Sequence, residues 1–66
     1  MKKPIYIFND GKLKRKENTI YFFKENEKKV IPINAISEIH IFGEVDINKR
    51  VLEFLTQNKI PLFFYN

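Results

Sequence analysis

The side chains able to do chemistry are few. The only histidine, His40, shares a stretch with Glu38 and Glu44, and strand alternation would place Glu38 and His40 on one face, two residue rises apart. Imidazole and carboxylate groups are donors for a divalent cation, and metal-assisted attack on a phosphodiester uses such sets. Three donors bunched on one strand and its turn need a further element to complete a cage, and no second acidic cluster presents itself. The expectation is a solvated or hydrogen-bonded histidine and no metal site. The absence of cysteine excludes thiolate chemistry and disulfides, and the remaining hydroxyls, Ser37, Thr19 and Thr56, fall in no elbow or triad pattern. Gly11 and Gly43 are isolated and match no phosphate-cradling loop. This chain alone is therefore expected to have no catalytic residue, no cofactor and no enzymatic activity.

Charge and aromatic rings remain. The formal charge of +4 is concentrated at one end: residues 1–16 hold Lys2, Lys3, Lys12, Lys14, Arg15 and Lys16 against Asp10 alone, and the other fifty residues carry six basic against seven acidic groups. A basic end on a balanced domain attracts phosphates within about a Debye length, roughly 8–10 Å. Lys12, Lys14, Arg15 and Lys16 are the candidate nucleic-acid contacts; the competing reading is that they only solubilise an edge strand. Seven Phe and three Tyr exceed what a small domain can hide. Tyr6, Phe8, Tyr21, Phe22 and Phe23 could form a stacking platform for bases, although strand aromatics more often serve cores and interfaces. Tyr6, Phe8, Tyr21 and Phe23 are the candidate dimer-interface residues.

These residues must be positioned by a single small domain of 66 residues, a size at which only about 60% of the unfolded surface is buried. Association is the available route to further stability. Pro4 to Phe8 alternates Ile5 and Ile7 with Tyr6 and Phe8, and Asn9-Asp10-Gly11 after it predicts a tight hairpin turn with positive φ angles. Lys12 to Lys16 would return as an edge strand with Leu13 as its apolar anchor. Glu17-Asn18-Thr19 predicts a second turn, Ile20 to Lys24 a strand, Glu25 to Lys28 a turn, and Lys29 to Ile33 a strand that Pro32 confines to an edge or bulge. Ala35 to Phe42 alternates Ile39 and Ile41 with Glu38, His40 and Phe42, and Gly43 ends it. Ile47, Val51, Phe54 and Leu55 then recur at helical spacing, predicting a helix over about 47–57 with Asp46 as N-cap. Leu62 to Tyr65 is a last strand. The fold class expected is α+β, mainly β: a two-layer β-strand domain with one helix before the final strand.

The ordered set of these features resembles the amino-terminal β-rich domain of the CRISPR-associated adaptation endonuclease/integrase family. The residues that carry the likeness are Ile5-Tyr6-Ile7-Phe8, Asp10-Gly11, Leu13 to Ile20, Ile31-Pro32-Ile33, Ile36 to Gly43 and Ile60-Pro61-Leu62-Phe63-Phe64. The resemblance implies an amino-terminal domain, residues 1–66, of a larger protein whose helical catalytic domain binds a divalent metal, Mg or Mn. It also implies a homodimer that works on DNA with a small companion subunit during spacer acquisition. His40 matches no catalytic position of that family. Lys59 stands where the family commonly has glycine, so Asn58 or Lys59 must take a left-handed conformation, more easily Asn58. Asn9 and Asp10 stand where some members place an aromatic that caps a DNA end.

The alternatives are a stand-alone single-stranded nucleic-acid-binding module and a structural protein-interaction domain. The end of the chain directly after Phe63-Phe64-Tyr65 suggests a cut within a longer protein. No apolar run reaches the roughly 20 residues that cross a bilayer, so the expectation is a cytoplasmic protein without membrane contact.

Overall fold

Period-two alternation of apolar and polar residues builds most of this molecule. The computed structural model describes residues 1–65, and the expectation attached to the chain end at Asn66 lies outside them. The strands are β1 (Lys3–Ile7), β2 (Gly11–Lys16), β3 (Thr19–Lys24), β4 (Glu27–Ile31), β5 (Ile36–Ile41), β6 (Val45–Ile47) and β7 (Leu62–Phe64). A 3-10 turn occupies Ile33–Ala35, and α1 (Lys49–Gln57) precedes β7. Strands β1, β5 and β7 form a wholly parallel sheet with β5 in the middle. The second sheet has the order β4-β3-β2-β6; its first two pairings are antiparallel and β2–β6 is parallel. The mainly β, α+β class with one helix before the last strand is as expected.

A single apolar core lies between the sheets and under the helix. The parallel sheet contributes Ile7, Ile36, Ile39 and Ile41, the second sheet Leu13, Ile20, Phe22 and Ile31, and the helix Val51, Phe54 and Leu55. Burying each such side chain contributes about 1.5–3 kcal/mol. Ile36 and Ile39 are three residues apart, an odd spacing that a regular strand would send to opposite faces. Their common burial is explained by the register, which pairs Lys3 with Ile36 and then Pro4 with Glu38, so that β5 has an extra residue at Ser37.

Several expectations are corrected by the pairing. The hairpin predicted at Asn9-Asp10-Gly11 does not form: β1 pairs with β5 in one sheet and β2 with β3 and β6 in the other. Neither glycine has a positive φ. The chain instead turns a corner from sheet to sheet, and β5 and β6 make the same passage beside it. Phe42 N–H donates to the Ile7 carbonyl at 2.8 Å, Gly11 N–H to the Glu44 carbonyl at 3.0 Å, and Glu44 N–H to Asp10 Oδ1 at 2.7 Å. Glycine is required there by close approach: a Cβ on Gly11 would run into the Phe23 carbonyl and lie 2.8 Å from the Phe22 ring, and one on Gly43 would lie 2.7 Å from the Asn9 carbonyl oxygen. Because β6 pairs along it, β2 is an interior strand, not the predicted edge. The true hairpins turn at Glu17-Asn18 and Glu25-Asn26, with Glu17 and Glu25 at positive φ. The predicted Lys29 to Ile33 strand instead runs Glu27–Ile31 as β4, an edge strand, and stops just before Pro32.

The helix starts later than predicted. Val45, Asp46 and Ile47 form β6, and the N-cap is Asn48, not Asp46: the Asn48 Oδ1 accepts from Val51 N–H at 2.9 Å. At the other end Lys59 N–H donates to the Thr56 carbonyl and Ile60 N–H to the Leu55 carbonyl, the paired bonds of a Schellman ending, with Ile60 buried. The left-handed residue is Lys59, with φ 57°, and not Asn58, which is at φ −93° and donates through Nδ2 to the Phe54 carbonyl. Lys59→Gly is expected to stabilise the chain by about 0.5–1 kcal/mol by relieving this conformation, a rise of about 3–6 °C in thermal midpoint. Circular dichroism melting checks it, and an unchanged or lower midpoint refutes it.

Candidate functional site

Two sheets enclosing one core leave two outer faces, and the residues singled out from the sequence divide between them. On β2 the pleat turns Leu13 inward and Lys12, Lys14 and Lys16 outward, all three exposed. Tyr21 and Phe23 share that outer face from β3, because Phe23 pairs with Lys12 and with Lys28, and Tyr21 pairs with Lys14 and with Val30. Lys14 Nζ lies 5.9 Å from the Phe23 ring centroid and Lys28 Nζ 5.1 Å from that of Tyr21, both inside the range of cation–π attraction. A groove of about 300 Å³ is lined by Lys14, Arg15, Lys16, Tyr21, Phe23 and Lys28. Asp46, opposite Lys12 on β6, is the acidic residue paired into this face.

Arg15 lines the edge of this groove, but its guanidinium is turned away from the lysine row. It alternates with Lys14 and Lys16, lies half-buried, and places its guanidinium 4.3 Å from the centroid of Phe54 on α1, while Nε–H donates to the Glu17 carbonyl at 2.7 Å. Of the four basic residues grouped by sequence proximity, the structure brings three together and assigns the fourth to packing the helix. Lys28, which sequence reading passes over, joins them because the β3–β4 hairpin folds it back across the sheet.

The outer face of the parallel sheet is aromatic. Tyr6 is opposite His40 and His40 opposite Phe63 across β1, β5 and β7. His40 stacks between those two rings with centroids 5.0 Å from each. Phe8, Phe42 and Tyr65 continue the array at 4.9 Å and 4.4 Å. Tyr6 is 54% exposed and Phe8 68%. Wholly parallel sheets are almost always covered on both faces, and adjoining exposed rings of this kind mark an interaction surface. The four residues expected at a dimer interface are therefore separated: Tyr6 and Phe8 lie on this face, Tyr21 and Phe23 on the opposite one among lysines, and no single flat patch includes all four.

His40 has both ring nitrogens engaged. Nε2 is hydrogen-bonded to the Glu38 carboxylate, so Nε2–H donates there, and Nδ1 is paired with the Tyr65 hydroxyl at 2.7 Å. Glu44 is held at the corner through its backbone, and among the described residues no three of His, Asp and Glu gather to hold a metal ion. These side chains orient a ring array and do not fit a metal centre.

The comparisons agree with one another. The family model described as CRISPR associated protein Cas1 matches residues 5–66. A CRISPR-associated endonuclease Cas1 2 of Thermodesulfovibrio yellowstonii is 56% identical over 66 residues, which are 100% of this chain and 20% of that protein. The solved structure of a CAS1 protein from Thermotoga maritima is 49% identical with a TM-score of 0.93, covering 98% of this chain and 20% of that one. A TtCas1–DNA complex has the same fold at a TM-score of 0.78 and 12% identity, over 89% of this chain and 22% of that one. The chain spans about one fifth of the length of the curated relatives it matches.

The division of basic residues has a measurable consequence. Arg15→Ala is expected to lower stability by about 1 kcal/mol, because the guanidinium leaves both the Phe54 ring and the Glu17 carbonyl, whereas Lys14→Ala changes it by less than about 0.5 kcal/mol. Urea denaturation of both variants checks this, and equal effects would contradict the separate role of Arg15.

Proposed function

This chain belongs to the Cas1 family of CRISPR-associated proteins, and from that premise we propose that it is the amino-terminal dimerisation and DNA-positioning domain of a metal-dependent DNA endonuclease and integrase acting in spacer acquisition. Residues 1–66 form one such domain of a longer protein. Phosphodiester chemistry and the divalent ion, Mg or Mn, belong to the larger part of that protein, because the described residues here offer no ligand set. The companion subunit of the adaptation machinery engages the full-length protein.

The observation that supports this reading best is the segregation of faces. Lys12, Lys14 and Lys16 project from an interior strand at every second residue, in a row that one DNA strand can follow, with Lys28 across the sheet. Each amine that neutralises a phosphate releases a condensed counterion, so affinity depends steeply on salt. Such interactions fix register and orientation without reading sequence, which suits a positioning domain. The opposite face has no lysine or arginine in its array of Tyr6, Phe8, His40, Phe42, Phe63 and Tyr65, and is the face assigned to the twin subunit.

Two measurements test the two halves. Replacing Lys12, Lys14 and Lys16 together with alanine is expected to weaken duplex DNA binding and reduce the slope of log affinity against log salt by about 0.9 for each phosphate no longer neutralised, roughly 2–3 in all; an unaltered slope would show that the row is a solvated surface only. Phe8→Glu with Phe42→Glu is expected to convert a dimer into a monomer at micromolar concentration with little change in melting point, since both rings are exposed. Sedimentation velocity reads that change, and a wild-type chain that sediments as a monomer rejects this interface.

A further inference from the structure

We propose that the outer face of the four-stranded sheet is a site for unpaired DNA bases, which stack on Tyr21 and Phe23 while Lys14, Lys16 and Lys28 hold the flanking phosphates. This deepens the DNA-positioning role above and rests on it. The two rings stand at successive outward positions of β3, with centroids 6.2 Å apart and planes tilted by 40°. They are not stacked on each other, so each keeps a face for a ligand. Both are half-buried, which holds them in place before anything binds. Lysines border them on both sides, from β2 and from β4, and these ammonium groups sit over the rings on flexible stems. A base that takes a ring face displaces an amine sideways toward its own phosphate, exchanging a cation–π interaction for an ion pair.

The aromatic face of the parallel sheet cannot serve in this way. Its rings lie against each other, Phe42 and Tyr65 at 4.4 Å and 10° and Phe8 and Phe42 at 4.9 Å and 15°, so their faces are already used and no lysine or arginine stands in the array. Along the body of a duplex the base faces are covered by their neighbours, so away from its ends only its phosphates would meet the lysines. The site therefore distinguishes frayed or single-stranded DNA from paired DNA through two rings, and accepts any base sequence, because every base has a π face.

Fluorescence anisotropy of the chain with labelled oligothymidylate of about eight nucleotides, an abasic strand of equal length and a blunt duplex tests the proposal. The wild-type chain is expected to bind the thymidylate at least roughly 10-fold more tightly than the abasic strand, and Tyr21→Leu with Phe23→Leu to lose that preference while keeping the sheet packed and duplex affinity within about 2-fold. Equal affinity for thymidylate and abasic strands, or a leucine variant that retains the preference, overturns the stacking site. Loss of duplex and single-strand binding together in the triple lysine variant, with no base preference in the wild type, leaves phosphate positioning standing and removes only the stacking. No DNA binding of any kind removes both. The chain has no tryptophan, so a quench of tyrosine emission that thymidylate causes and Tyr21→Phe abolishes is a second, independent sign.

Discussion

One interior must serve two sheets, and most of this molecule follows from that. With 66 residues and no disulfide, the chain can cover only one side of each sheet. Strand alternation then forces the other side outward, whatever its composition. Ile39 and Ile41 are almost completely buried, and because they point inward, His40 and Phe42 cannot. Leu13 does the same for Lys12 and Lys14. The outward residues are thus not leftovers of folding but a fixed consequence of which residues the core takes. The parallel sheet makes the demand sharper, since parallel sheets are stable in proteins chiefly with both faces covered.

What the outward faces contain decides how they can act. On the parallel sheet the rings satisfy each other by stacking and His40 is locked between them by Glu38 and Tyr65. That array is interlocked by stacking and holds no lysine or arginine. On the second sheet the rings are spaced by lysines and have their amines as cover. An interlocked apolar face suits a fixed partner; a charged face with removable cover suits a ligand that comes and goes. Arg15 turns its guanidinium to the helix.

Alternation makes much of this legible in the sequence. Ile5 and Ile7 against Tyr6 and Phe8, and Ile20 and Phe22 against Tyr21 and Phe23, fall on the sides it predicts, because a side-chain period of two is local. The helix is legible from Val51, Phe54 and Leu55 for the same reason. Pairing partners are not, since they depend on residues far apart in the chain. Asp10-Gly11 has the composition of a hairpin turn, yet the glycine is needed for the approach of Phe22 and Phe23. Ile47 fits the helical spacing of Val51 and is a strand residue because Leu13 pairs with it. Arg15 sits in a basic run, and only the pleat of β2 separates it from Lys14 and Lys16. Lys28 lies in a charged turn by sequence and reaches the lysine face only through the hairpin.

The corner where β1 passes into β2 and β5 into β6 has a mechanical meaning. Two chain segments cross side by side, clasped by Asp10 to Glu44 and by Gly43 against Asn9, so the layers are joined as two arms of one rigid bracket. A partner that gripped the rings on one arm would thereby set the heading of the amines on the other. In a symmetric pair the twofold axis would fix the angle between two such headings, and the chain would act as a protractor for whatever lies across both copies.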